Sequence, residues 1–188
     1  MAENITKVPP KGKIKFNLSL SDEQKLAKTA ILYHPYNFIQ GKAGSGKTLL
    51  AVQIALDMFF TRQINKIVIR KVYNKPAILE KMEKDEHIEL VSLTHFRGRT
   101  FENSIVIVDE YQNLTKQQLG MVLGRLGKGS TMILTGDPQQ IDLKFPNDSA
   151  IHEVPKVKPS NHVYSVNLLD NHRHAALDDV LRLLSAYQ

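Results

Sequence analysis

Apolar positions along this chain cluster in short runs separated by polar and glycine-containing stretches. "YNFIQ" (36–40), "KIVIR" (66–70), "HIELVSL" (87–93), "SIVIVDE" (104–110) and "TMILTGD" (131–137) hold apolar runs of strand length. They predict buried strands, and "HVYSVNLL" (162–169) predicts a sixth. Helical spacing fills the gaps. "SLSDEQKLAKTAIL" predicts a capped helix, with Ser21 ahead of Asp22 and Glu23 and with Leu26, Ala27, Ala30 and Ile31 on one face. "TLLAVQIALDMFF" is apolar nearly all round, as a helix packed on a sheet should be. "KPAILEKMEKDE", "TKQQLGMVLGRLG" (with Gly127 as its candidate C-cap) and "HAALDDVLRLLSAY" predict three more helices. Strands alternating with helices argue an α/β fold, a largely parallel sheet with helices on both faces.

The connection between the first strand and its helix breaks the pattern. "GKAGSGKT" places Gly41, Gly46, Lys47 and Thr48 at the fixed positions of a phosphate-binding loop. Gly41, Ala43, Gly44, Ser45 and Gly46 would wrap a phosphate with backbone N–H groups, and Lys47 would reach the β- and γ-phosphates. The Thr48 hydroxyl would hold Mg²⁺, and the helix N-terminus would face the anion. The competing reading is a flexible turn. Downstream, "SIVIVDEYQN" ends an apolar strand on Asp109 and Glu110. Asp109 is expected to hold Mg²⁺ with Thr48, and Glu110 to act as general base on the attacking water. "TMILTGDPQQID" delivers Gln140 to the same crevice, to contact the γ-phosphate or the water, unless Asp137-Pro138 forms only a tight turn.

Composition narrows the setting. The 188 residues suffice for one domain with a core, and 42% hydrophobic content makes it globular. The reading is a basic arm over 1–16 and one domain over 17–188. No apolar run approaches the ~20 residues of a membrane span, and residues 1–16 lack the apolar centre of a secretory signal. Cysteine is absent, which removes disulfides and thiolate metal sites and points to the cytoplasm. A net charge of +6 favours an anionic partner, nucleotide and then nucleic acid, against an even scatter of surface lysines.

These motifs together resemble those of superfamily 1 helicases. "THFRGRTFENSIVIVDEYQNLTKQQ" and "DNHRHAALDDVLRLL" resemble, more particularly, the PhoH-like proteins. That resemblance implies a single RecA-like P-loop NTPase domain that uses ATP and Mg²⁺. It also implies work on RNA or single-stranded nucleic acid as a helicase or remodeller, and assembly into a ring, expected to be a hexamer. Some relatives add a ribonuclease domain of PIN type, which is not expected here. By position, the resemblance puts Gln24 against adenine, with a surface glutamine as the alternative. It puts Arg70 at a nucleic-acid or coupling position and Arg97 and Arg99 in the family's basic loop, where arginines flanking a glycine suit phosphate contact unless they are only a solvated pair. It makes Arg173 a finger on the γ-phosphate, in trans from a neighbouring subunit, with Arg125 second. His172 and His174, which flank Arg173, could suggest a metal, but none is expected there. The family's loop after the "IVIR" strand is missing, which predicts that Val72 and Tyr73 are not covalent neighbours. Two other classes compete: a nucleotide-switched oligomer that hydrolyses slowly, and a small-substrate kinase, for which no arginine-rich lid is evident.

Overall fold

The computed structural model describes residues 20–70, 87–158 and 160–169. The expected basic arm, the helix over 75–86, the junction of Val72 with Tyr73, the terminal helix and Arg173 with its flanking histidines lie outside them. Ser21 caps α1 (Asp22–Ile31) through a capping box with Gln24, where each side chain satisfies the other's backbone N–H. The chain then runs through β1 (Tyr36–Gly41), α2 (Lys47–Phe60) and β2 (Lys66–Arg70). After the undescribed stretch come β3 (Ile88–Leu90), β4 (Ser104–Val108), α3 (Lys116–Leu123), β5 (Thr131–Gly136) and β6 (Val163–Leu168).

Six strands form one sheet in the order β3-β2-β4-β5-β1-β6, and every pairing is parallel. Strand alternation sorts the side chains into two cores. Ile39, Ile67, Ile69, Ile105, Ile107 and Ile133 meet α1 and α2 on one face. Phe38, Val68, Val106, Val108, Met132 and Leu134 meet α3 and the 3₁₀ segment Ala150–Lys156 on the other. The expected two-sided parallel sheet is therefore present.

Two boundaries differ from expectation. The third strand spans only Ile88–Leu90, not 87–93, because it is an edge strand paired to β2 at three positions. A 3₁₀ turn, Leu93–Phe96, then carries Phe96 into the core. Helix α3 stops at Leu123 with Gly124 as C-cap, so Gly127 is not the cap. Its end carbonyls are taken by the Tyr36 hydroxyl on Leu123 (3.1 Å) and by Arg125 Nε on Met121 (3.3 Å). Gly127 instead lies against the strand entry: its N–H donates to the Phe101 carbonyl at 2.7 Å, and a Cβ there would meet Glu102 Cγ at 2.6 Å.

Candidate nucleotide site

Strands β4, β5 and β1 are neighbours at the centre of the sheet, and their carboxyl ends build one site. From β1 the chain enters the glycine loop. Gly41 has φ +155, and a Cβ there would sit 2.7 Å from both the Leu168 carbonyl and Ser45 Oγ. Gly46, at φ 79 and ψ 12, is the left-handed N-cap that launches α2. Ser45 Oγ is buried inside the loop without a hydrogen-bond partner. Lys47 is buried, and its Nζ donates to the carbonyls of Gly41 (2.7 Å) and Lys42 (2.9 Å). The loop's cation is thus folded onto the loop's own carbonyls.

Asp109 joins the two halves. Its Oδ1 accepts from Thr48 Oγ1 at 2.8 Å and from Thr135 Oγ1 at 2.5 Å. The carboxylate is buried at the end of a wholly buried strand, and two hydroxyls supply the hydrogen bonds it needs there. Arg70 Nη1 donates to the Asp109 carbonyl at 3.2 Å. Burial lowers the Arg70 pKa from its ordinary value, and the charge of Asp109 opposes that shift. Arg70, expected at a nucleic-acid or coupling position, therefore sits buried beside Asp109.

Glu110 follows in a left-handed conformation, φ 57 and ψ 44, a strained state for a residue with a side chain. The turn redirects the chain so that the Glu110 carboxylate accepts from Gln112 Nε2. Gln112 is fully buried and acts as a hub. Its Nε2 also donates to the Gln140 carbonyl (3.0 Å), and its Oε1 accepts from the Asp137 N–H (3.1 Å). Its own carbonyl accepts from Ser149 Oγ at 2.6 Å. Sequence reasoning passed over Gln112, Thr135 and Ser149 as site residues. A glutamine two residues beyond a buried acidic pair was the available signal.

The remaining expected residues separate. Asp137-Pro138 does form a tight turn, with the Gln139 N–H on Asp137 Oδ1 (2.9 Å) and the Gln140 N–H on the Asp137 carbonyl (3.1 Å). Gln140 is held at that turn by its backbone while the residue is exposed. Gln24 is buried, unlike a surface glutamine, and its Nε2 donates to the Ser45 carbonyl at 3.1 Å. It ties the start of α1 to the phosphate loop. Arg99 makes a two-pronged contact with Glu89 (2.5 and 2.9 Å) and stacks on the Phe101 ring at 5.0 Å. It is committed within the chain, whereas Arg97 is exposed. Arg125 lies near the amino edge of the sheet, beside the Phe101–Leu126 bridge and away from the loop. No cluster of three or more His, Cys, Asp or Glu able to hold a metal occurs among the described residues.

The family model described as "PhoH-like protein" matches residues 18–79 and 71–185. The chain belongs to the PhoH-like protein family. The two matched stretches overlap at residues 71–79. A PhoH-like protein of Synechocystis is 34% identical over 146 residues, covering 61% of this chain and 44% of the relative. One from Mycobacterium leprae is 28% identical over 183 residues, covering 79% and 52%. The chain spans about half the length of these curated relatives. Among solved structures, a Bacteroides Pif1 in complex with ADP-AlF4 superposes with a TM-score of 0.51 at 16% identity, covering 92% of this chain and 47% of that one. The Pif1 helicase of Candida albicans gives 0.50 at 15%, covering 89% and 43%. This PhoH-like chain therefore has the RecA-like P-loop NTPase fold of those helicase domains.

Proposed function

We propose that this PhoH-like chain is an Mg²⁺-dependent ATPase that acts on RNA or another single-stranded nucleic acid as a helicase or remodeller. The observation that carries the reading is the Thr48–Asp109–Thr135 cluster, which brings the phosphate loop and the acidic strand end to one point. The loop suits a phosphate: Gly41 leaves a cradle that a Cβ would fill, and Ser45 Oγ is a buried polar atom without a partner. An oxygen-only donor set of one hydroxyl and one carboxylate suits Mg²⁺, which keeps several waters; Thr48 and Asp109 would hold it. When bound, the ion would neutralise charge on the β- and γ-phosphates.

The side chains then divide the work. Lys47 would exchange its carbonyl partners for phosphate oxygens. Glu110 would take the proton of the attacking water, and Gln112 holds its carboxylate in place. Gln140, exposed beside them, would meet the γ-phosphate or the water. Arg97 remains a candidate nucleic-acid contact, because it is exposed. A second subunit would supply the missing cation, Arg173, in a head-to-tail ring that we take to be a hexamer. No helix of the described residues is long and apolar enough to cross a membrane, and the cysteine-free composition supports a cytoplasmic setting.

The test is ATP hydrolysis with and without single-stranded RNA and DNA. Stimulation is expected. Its absence, with slow turnover throughout, supports a nucleotide-switched oligomer instead. Lys47→Ala is expected to abolish turnover and weaken nucleotide binding. Glu110→Gln should still bind ATP but hydrolyse it about 10²–10⁴-fold more slowly. Turnover of Glu110→Gln at the parent rate removes Glu110 from the general-base role.

A further inference from the structure

We propose that Lys144 and Phe145 form a stacking platform for an unpaired base of single-stranded nucleic acid, on a loop tied to the hydrogen-bond network of Glu110. The proposal rests on the reading that this chain acts on nucleic acid, and deepens it by assigning a contact that the motifs did not.

Phe145 is 61% exposed, and Lys144 Nζ stands 5.4 Å from its ring centroid. An exposed ring that carries a cation over one of its faces matches a nucleotide, which presents a π-face and a phosphate. Among the exposed large apolar side chains of the described residues, only Tyr33 is also aromatic. Tyr33 precedes β1, at the amino edge of the sheet, whereas Phe145 follows β5, at the carboxyl edge where ligands of parallel α/β sheets bind.

The ring is presented by a fixed backbone. Pro146 opens the 3₁₀ turn Pro146–Asp148 and keeps Phe145 extended, at φ −121 and ψ 94. The Asp148 N–H closes that turn on the Phe145 carbonyl at 3.0 Å. On one side, the Gln140 carbonyl accepts from Gln112, and the Asp142 N–H donates to Asn113 Oδ1 at 2.7 Å. On the other, Ser149 Oγ donates to the Gln112 carbonyl, and the Ala150 N–H to that of Leu114 at 2.8 Å. The loop is thus sewn at both ends to the segment that follows Glu110. A base landing on Phe145 bears on the same glutamine that holds the hydrolytic carboxylate. The neighbours Asn147 and Asp148 are polar and exposed, so the ring lacks the apolar surround of a protein-docking hot spot.

The experiment uses the full chain and two oligomers, oligo-uridylate and oligo-thymidylate, each carrying one fluorescent adenine analogue. Binding is expected to quench the analogue through stacking. Phe145→Ala should abolish the quench and weaken binding about tenfold at an unchanged salt slope, because stacking is not ionic. Phe145→Tyr should restore both. Lys144→Ala should instead flatten the slope by about 0.7 log unit per log salt, the value for one single-strand phosphate contact. Tyr33→Ala, an exposed ring at the opposite edge, should change neither. The stronger quench of the two oligomers assigns RNA or DNA as the strand. If Phe145→Ala keeps parental affinity and quench while nucleic acid still stimulates hydrolysis, the platform is refuted and the ATPase reading stands. If the parent binds neither oligomer, both fall. A changed oligomeric state with unchanged quenching makes Phe145 a subunit contact and also overturns the proposal.

Discussion

Gln112 shows how much one buried polar residue can organise. It satisfies the Glu110 carboxylate, the Gln140 carbonyl and the Asp137 N–H with a single amide, and its backbone carbonyl holds Ser149. Gly136 beside it has no room for a Cβ, which would meet the Tyr111 ring at 2.7 Å and Gln112 Oε1 at 3.1 Å. Gln112→Ala would leave the buried Asp137 N–H, the part-buried Gln140 carbonyl and the Glu110 carboxylate without this partner. The expected cost is roughly 2–4 kcal/mol, from unpaired polar groups at about 1–3 kcal/mol each. It should lower the melting temperature and turnover together while ATP still binds, since the phosphate loop is untouched. Thermal melts paired with nucleotide titration check this; unaltered turnover would show that Glu110 needs no such support. The acidic pair and the phosphate loop were legible as motifs. The hub was not, because a glutamine's role depends on which chain segments come to surround it.

At the scale of elements, the edge strand β3 carries an ion cluster that includes Arg99, expected from sequence to contact nucleic acid. Arg99 and Lys66 both pair with Glu89, at 2.5 and 2.7 Å. The hydrogen bond from Arg99, aided by Lys66, holds the Glu89 carboxyl down to about 2, against an ordinary 4.5. Its folded pKa is depressed, so the stabilisation is fully present above about pH 4.5. It is lost as pH falls toward 2, because the unfolded chain takes up the proton first. With both cations more than a third exposed, on the order of 1–2 kcal/mol is at stake. Glu89→Gln should melt lower at neutral pH and lose less of its stability between pH 4.5 and 2 than the parent. Parallel acid profiles would show that the cluster adds nothing. Sequence read this arginine as a partner for phosphate, since a solvated arginine and a paired one look alike until the facing strand is known.

For the whole molecule, the proposed ATPase reading calls for an arginine finger from outside the described crevice. The described crevice supplies the loop, the carboxylates and a buried Arg70, whose guanidinium is turned onto the Asp109 backbone. Arg125 is held at the far edge on the Met121 carbonyl. A neighbour packed head to tail would bring a new arginine, a contact that closes into rings or grows as a filament. Mixing inactive Lys47→Ala and Arg173→Ala chains should then restore turnover, because some sites pair an intact loop with an intact arginine. An arginine finger is worth roughly 10³–10⁵ in rate, so even a minority of repaired sites is measurable. No recovery in mixtures shown to exchange subunits would place Arg173 in cis or outside the reaction.

The sequence by itself determined the elements and the chemistry carried by local spacing. Apolar runs marked six strands, and the glycine loop and acidic strand end marked a candidate phosphate and metal site, because both signals depend only on near neighbours. The tertiary structure alone decided which strands adjoin. β5 lies between β1 and β4, so Thr135 reaches Asp109 together with Thr48, and Gln112 reaches the turn after β5. It likewise buried Gln24 and Arg70, tied up Arg99, and left Phe145 in solvent. Those outcomes depend on contacts between residues far apart along the chain. Whether a polar side chain is solvated, paired or buried is set by the element packed against it, and no local pattern encodes that.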